Sequence, residues 1–379
     1  MREEARREEA AELDGEILSA IGRGWSDPLD EGEFDRLARA LFAHQFRFHS
    51  VYRRFCLLRG VAAPADVRTW REIPPVPAGA FKIGRWATFP PEAETVAFRT
   101  SGTTGEGRGV HRFESLSLYN AAIVPSARRF LVPDRERIRL LMVSPPPTAA
   151  ADSSLVHMLA VYREALGAPG SAFFLAGREG DGALRTEALE EALERAGAEG
   201  EPVAVVGTAL GIHHALEALG PRTRPLPPGS RSMVTGGFKG VRVDADPASM
   251  ADRIAERLAI PRSRQIEEYG MTELSSQHYT AELRAALGGE PEVQEPSAFR
   301  RPPWTRIRVV DPIGGSELAD GEVGALVHVD LANRGSAVVV QTSDLGRRVG
   351  PDAFELRGRS PGAEARGCSL AADLWLSGG

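Results

Sequence analysis

A chain of 379 residues with 42% hydrophobic and 26% charged residues has apolar material for a packed core of one elaborated domain or more, which excludes a disordered, fibrous or low-complexity protein. Its 46 basic and 52 acidic side chains leave a net charge of -6, so no whole-chain basic footprint invites nucleic acid or an acidic membrane. Two cysteines, Cys56 and Cys368, are too few for a disulfide framework and lack the spacing of a zinc site.

The N-terminus, MREEARREEAAELDGEIL, is charged and helix-like rather than a signal peptide, and the longest apolar stretch, Val203 to Ile212, is half a membrane span. The expectation is a soluble, cytoplasmic protein. Helix is predicted over Glu3 to Ile21, and again over Phe34 to Leu58, where Leu37, Leu41, Phe42, Phe46 and Phe55 recur at helical spacing. Pro74, Pro75 and Pro77 then force an extended connector.

From Arg137 onward, the strand-like runs IRLLMVS, SAFFLA, PVAVVG, RSMVTGG and RQIEEYG alternate with helical patterns at Ser153 to Leu166, Thr186 to Ala196, Leu210 to Leu219 and Ala248 to Ala259. This alternation predicts a largely parallel sheet with crossover helices. After Pro302 the runs TRIRVVD, GALVHVDL, SAVVVQTSD and AFELRG follow one another without helices, as in a small antiparallel or barrel-like unit. The domain plan is a helical segment over 1–95, an α/β core over 96–300, a β-rich subdomain over 301–358 and a short tail over 359–379 that carries Cys368.

The sharpest chemical signal is TSGTTGEGRG, Thr100 to Gly109, with four glycines and four hydroxyl residues in ten positions. Glycines let several backbone N–H groups turn toward one anion, hydroxyls add donors, and Arg108 adds charge. A solvent-exposed loop has the same composition. The Walker pattern is not met, because Arg108 and Gly109 stand where that loop has Lys and Ser or Thr. A second signal, EYGMTE, delivers Tyr269, Gly270, Met271, Thr272 and Glu273 directly after a predicted strand, where open α/β sheets bind ligands. A capped strand-to-helix turn would read the same way. Gly236-Gly237-Phe238-Lys239 and Ser343-Asp344-Leu345-Gly346 also follow strands; Asp344 suits a ribose diol or an ordinary turn.

Taken in order, TSGTTGEGRG, TGGFKG, YGMTE, TSDLGRR and LRGR resemble the motif set of the AMP-forming adenylating superfamily of acyl-CoA ligases, luciferases and nonribosomal peptide adenylation domains. With PVPAGAFK before the loop, GGFK in the middle and RGCSL near the end, the chain is most similar to the acyl-protein synthetase family of bacterial bioluminescence, with phenylacetate-CoA-ligase-like enzymes next. The resemblance implies an α/β adenylating fold that lacks the usual C-terminal domain with its catalytic lysine. It implies ATP and Mg2+ as cofactors and a carboxylic, expectedly fatty, acid as substrate. The acyl group would pass from acyl-adenylate to a cysteine and on to a reductase; coenzyme A, a carrier protein, or service as an inactive nucleotide-binding scaffold are the alternatives.

By the same resemblance, Thr100, Ser101, Gly102, Thr103, Thr104 and Gly105 hold the ATP phosphates, while Gly236, Gly237, Tyr269, Gly270 and Met271 line the nucleotide. Thr272 meets the α-phosphate, Glu273 the magnesium, Asp344 the ribose, and Arg359 the ribose or a phosphate. Lys239 or Arg108 would replace the missing lysine as catalytic cation, with a solvated turn as the plainer role for Lys239. Cys368, beside Arg366 and Gly367, becomes the acyl-accepting nucleophile, since a neighbouring cation raises the thiolate fraction; a small buried hydrophobe is the alternative. Cys56, on an apolar helical face, is expected in the core. His213 and His214 point about 100° apart on a helix and cannot share a metal. His157 either lines the substrate site or packs, and Gly207 and Gly211 either open an acyl pocket or allow close packing.

Overall fold

The computed structural model describes residues 2–100, 107–177, 183–236, 247–288 and 298–359. Three helices open the chain: α1 (Arg2–Arg23), α2 (Glu31–Phe48) and α3 (Ser50–Leu58). Asp30 caps α2 by accepting from the Glu33 amide at 2.8 Å, and Glu33 answers from its own side chain, which satisfies donors the first turn cannot pair internally. The proline segment is extended, as expected, and includes the short strand β1 (Val76–Pro77).

Next come a hairpin of β2 (Val96–Arg99) and β3 (Val110–Phe113), then α4 (Ser117–Phe130). The alternating region is β4 (Arg139–Val143), α5 (Ser154–Leu166), β5 (Ala172–Phe173), α6 (Thr186–Glu199), β6 (Val203–Thr208), α7 (Ala209–Ala218), β7 (Arg231–Thr235), α8 (Pro247–Leu258) and β8 (Gln265–Tyr269). It is followed by β9 (His278–Thr280), α9 (Glu282–Ala286), β10 (Phe299–Arg300), β11 (Thr305–Val310), β12 (Gly324–Asp330), β13 (Val339–Arg348) and β14 (Ala353–Arg359).

Every strand except β2 and β3 joins one sheet, ordered β11-β12-β13-β14-β10-β9-β8-β7-β6-β4-β5, with β1 alongside β13. Strands β5, β4, β6, β7 and β8 run parallel, as the alternation predicts. The C-terminal strands pair antiparallel, and β9 and β10 stitch the two regions together. These two short strands, the hairpin and α4 were not expected from sequence.

Side-chain alternation explains the layers. Leu140, Met142, Ala204, Val206, Met233 and Ile266 pack against α4 and α5, whereas Leu141, Val143, Val203 and Val205 pack against α6, α7 and α8. Strands buried on both faces read as continuous apolar runs because neither parity meets water. The N-terminal helices cover a third core, placing Ile17, Phe34, Leu41 and Tyr52 in one cluster with Val327, Val329, Val338 and Val340. Cys56 is buried there; burial pushes its thiol up to about 12, so it stays protonated. Among the described residues no helix is long and apolar enough to cross a membrane.

Candidate active site

The glycine and hydroxyl run bridges the ends of the β2–β3 hairpin. Residues 101–106 lie outside the described residues, but both stems are described. The Thr100 amide donates to the Gly109 carbonyl at 2.9 Å, and the Gly109 amide donates to Thr100 Oγ1 at 2.9 Å. Arg108 clamps this stem: Nε donates to the Thr100 carbonyl at 2.6 Å, Nη2 to that of Arg99 at 3.2 Å, and Nη1 pairs with Asp152 at 3.0 Å.

Glu273 closes on the same stem. A side chain at Gly109 would put its Cβ 3.0 Å from Thr100 Cγ2 and 3.5 Å from Glu273 Oε1. Glycine there leaves room between a buried carboxylate and the loop's mouth. Thr272, one residue earlier, has its hydroxyl 3.5 Å from that of Ser154 at the start of α5. Met271 packs partly into the N-terminal core.

A buried polar scaffold that sequence reasoning missed holds this loop. Asp330, at the end of β12, accepts from the amides of Ser275 and Ser276 at 2.9 and 2.8 Å and from Ser276 Oγ at 2.8 Å. Asn333 donates to the Glu273 carbonyl at 2.9 Å. His111 on β3 sits 2.8 Å from the Thr272 carbonyl through Nδ1 and 2.9 Å from Ser336 Oγ through Nε2. Burial holds the His111 ring down at about 4, so it is neutral near pH 7. The one available signal was polar residues at strand ends, which alone cannot be told from turns.

The second half of the site lies where β8 meets β13 and β14. Tyr269 is wedged among Phe299, Leu326 and Phe354, with the His328 ring nearly parallel at 5.4 Å and 20°. Its hydroxyl donates to Asp344 Oδ2 at 2.9 Å, and burial raises the phenol well above its usual range, so it remains a donor. Asp344 is not in a turn: it lies within β13, opposite Arg359 on β14, whose Nε donates to Oδ1 at 2.8 Å. A register shift between Leu345 and Gly346 follows, and a Cβ at Gly346 would come within 2.4 Å of the Glu355 carbonyl. Such bulges re-aim neighbouring side chains.

Gly236 directly follows β7 at φ 63°, a left-handed conformation that favours glycine. Glu268, buried one residue before Tyr269, accepts from Thr235 Oγ1. Gly237, Lys239 and Cys368 lie outside the described residues. His157 contacts Asn120 at 2.7 Å and the rings of Phe98 and Tyr119. Gly207 and Gly211 serve packing, because Cβ atoms there would lie 2.8 and 3.1 Å from the Val143 carbonyl.

Among the described residues no three His, Cys, Asp or Glu side chains group as a metal cage. The donor beside the loop, one buried carboxylate with a hydroxyl next to it, suits a hard cation that takes its other ligands from substrate phosphates and water, which fits magnesium.

A family model described as acyl-protein synthetase, LuxE, matches residues 4–374. Among solved structures, a 2-hydroxyisobutyryl-CoA ligase in complex with 2-HIB-AMP and CoA is similar at 16% identity and a TM-score of 0.58, over 88% of this chain and 71% of that one. The ligase in its postadenylation state with 2-HIB-AMP gives 17% and 0.58, over 88% and 69%. ATP-bound MatB from Rhodopseudomonas palustris gives 16% and 0.47, over 69% and 47%. The chain spans about half the length (47%) of the first solved structures it matches. No curated protein matches it in sequence. The likeness at 0.58 shows a shared fold.

Proposed function

Because the chain belongs to the acyl-protein synthetase family, matched over residues 4–374, we propose that it activates a carboxylic acid with ATP and takes the acyl group onto its own Cys368. The observation that carries this reading is one loop, residues 269–273, joining two half-sites. At its start Tyr269 bonds Asp344, which also bonds Arg359; at its end Glu273 faces the stem of the glycine-rich loop.

In this reading Asp344 accepts the ribose hydroxyls, Arg359 steadies it, and Tyr269 with Gly236 and Gly237 lines the adenine. Gly270 and Met271 carry the chain past the nucleotide. Ser101, Gly102, Thr103, Thr104 and Gly105, with Thr100 at the stem, surround the phosphates. Glu273, with Thr272 beside it, would hold the magnesium, whose charge would neutralise that on the phosphate oxygens. The substrate carboxylate oxygen attacks the α-phosphorus, the bond to the bridging oxygen breaks, and pyrophosphate leaves. The protein's contribution is alignment and fixed dipoles. Arg108 is already committed to Asp152 and two carbonyls, so it shapes the loop stem and Lys239 is the cation assigned to the reaction. The Cys368 thiolate then attacks the acyl carbon, AMP leaves, and the thioester passes to a reductase.

The test is intact-mass spectrometry after incubation with ATP, Mg2+ and a panel of carboxylic acids, followed by hydroxylamine. A hydroxylamine-labile acyl adduct on the Cys368 peptide is expected, lost in Cys368→Ser while carboxylate-dependent pyrophosphate exchange continues. Transfer to a free thiol at undiminished rate in Cys368→Ser would replace this reading with a small-thiol or carrier ligase. Absence of pyrophosphate exchange with every acid would leave only a nucleotide-binding scaffold.

A further inference from the structure

We propose that His111 is a positioning residue that locks the phosphate-loop hairpin to the loop bearing Thr272 and Glu273 and thereby sets the magnesium requirement of adenylation. The consequence for metal rests on the function proposed above; the lock itself rests on geometry alone.

His111 lies two residues beyond the end of the glycine-rich run, on β3, and is 1% exposed. A carbonyl can only accept, so the 2.8 Å contact to the Thr272 carbonyl places the ring proton on Nδ1. Nε2 is then the acceptor, and the Ser336 hydroxyl at 2.9 Å donates to it. One ring therefore ties the hairpin, the 270–277 loop and the 331–338 connection. Phe81 and Phe113 fix its plane, with ring centroids at 5.7 and 4.2 Å.

The opposite side of the same loop is held independently. Asn333 donates to the Glu273 carbonyl at 2.9 Å, and Asp330 accepts from the amides of Ser275 and Ser276. With the carbonyls of Thr272 and Glu273 both pinned, the Glu273 carboxylate has little freedom to leave the Gly109 gap. Magnesium demands near-ideal octahedral distances, and loss of a partner that orients a ligand typically costs 10–100-fold in metal affinity. His111 ties this loop to the hairpin itself, so it sets the spacing between the hairpin stem and the carboxylate.

The experiment compares the full chain with His111→Phe, His111→Asn and His111→Gln. An Asn amide presents a donor where Nδ1 stood; a Gln amide presents its donor toward Ser336. Deuterium exchange without ligands should rise over residues 270–277 in His111→Phe and His111→Gln and return toward wild type in His111→Asn. In pyrophosphate exchange, His111→Phe should raise the Mg2+ half-saturation by about tenfold while KM for the acid holds steady, with Asn again restoring it. Unchanged exchange over 270–277, or a uniform fall in kcat with no selective Mg2+ effect, would overturn the proposal. An inactive wild-type chain would strike the adenylation reading, while the exchange measurement would still decide the lock.

Discussion

Asp344 serves two groups at once: the Tyr269 hydroxyl takes Oδ2 and the Arg359 guanidinium takes Oδ1. Arg359 is more than half exposed, so its pairing adds little stability, and its use is to orient the carboxylate. On the proposed role of Asp344 as ribose acceptor, Asp344→Ala would remove a charged acceptor for two hydroxyls. The expected loss is about 1.5–3 kcal/mol, or roughly tenfold to a hundredfold in KM for ATP, with KM for the acid unchanged, read by pyrophosphate exchange. A smaller effect on ATP than on the acid would remove Asp344 from the nucleotide site. Asp344, Tyr269 and Glu273 could be singled out as candidates from sequence because each sits in a short motif of unusual composition. His111, Asp330 and Asn333 were not, because a buried polar side chain is distinguished from a turn residue only by partners remote in sequence; Asp330 reaches Ser276 across 54 residues.

At the scale of elements, the parallel sheet depends on how closely β4, β6 and α7 approach. Gly207, within β6, has no space for a methyl group: its Cβ would stand 2.8 Å from the Val143 carbonyl and 3.3 Å from Ile212 Cγ1. The first neighbour is backbone in a strand paired on both sides, by β5 and β6, and cannot step aside. Gly207→Ala should therefore destabilise the chain by about 1–3 kcal/mol, seen as a lower urea midpoint with unchanged slope; an unaltered midpoint would mean that the strands part easily. The long strands and, apart from α4, the long helices were legible from their periodicity. The hairpin, β9 and β10 were hidden, because strands of two to four residues carry too few alternations to read and are defined by the neighbours that pair with them.

Across the whole molecule, several histidines lie where water cannot reach them. Burial lowers His44 and His49 to about 3, and His111 and His328 to about 4. Above pH 6.5 each is neutral both folded and unfolded and contributes no pH dependence. As pH falls below the unfolded value, only the unfolded chain takes up the proton, and folding loses up to about 1.4 kcal/mol per pH unit for each histidine until the folded value is reached. The urea midpoint should fall steeply from pH 6.5 toward 4.5, before most carboxylates titrate. A midpoint flat across that interval would show that these rings admit water.

Composition, periodicity and motif order by themselves determined the alternating α/β region, the helix-free run of C-terminal strands, the N-terminal helices and the family, because each is written in local spacing. Tertiary structure decided the rest. It carried the sheet without a break from β8 through β9 and β10 to β14, and it committed Arg108 to the loop stem. It also brought His111, Asn333 and Asp330 onto the loop of Glu273. The physical reason is that a hydrogen bond between buried groups is fixed by where the core places two distant strands, and no stretch of sequence contains both partners.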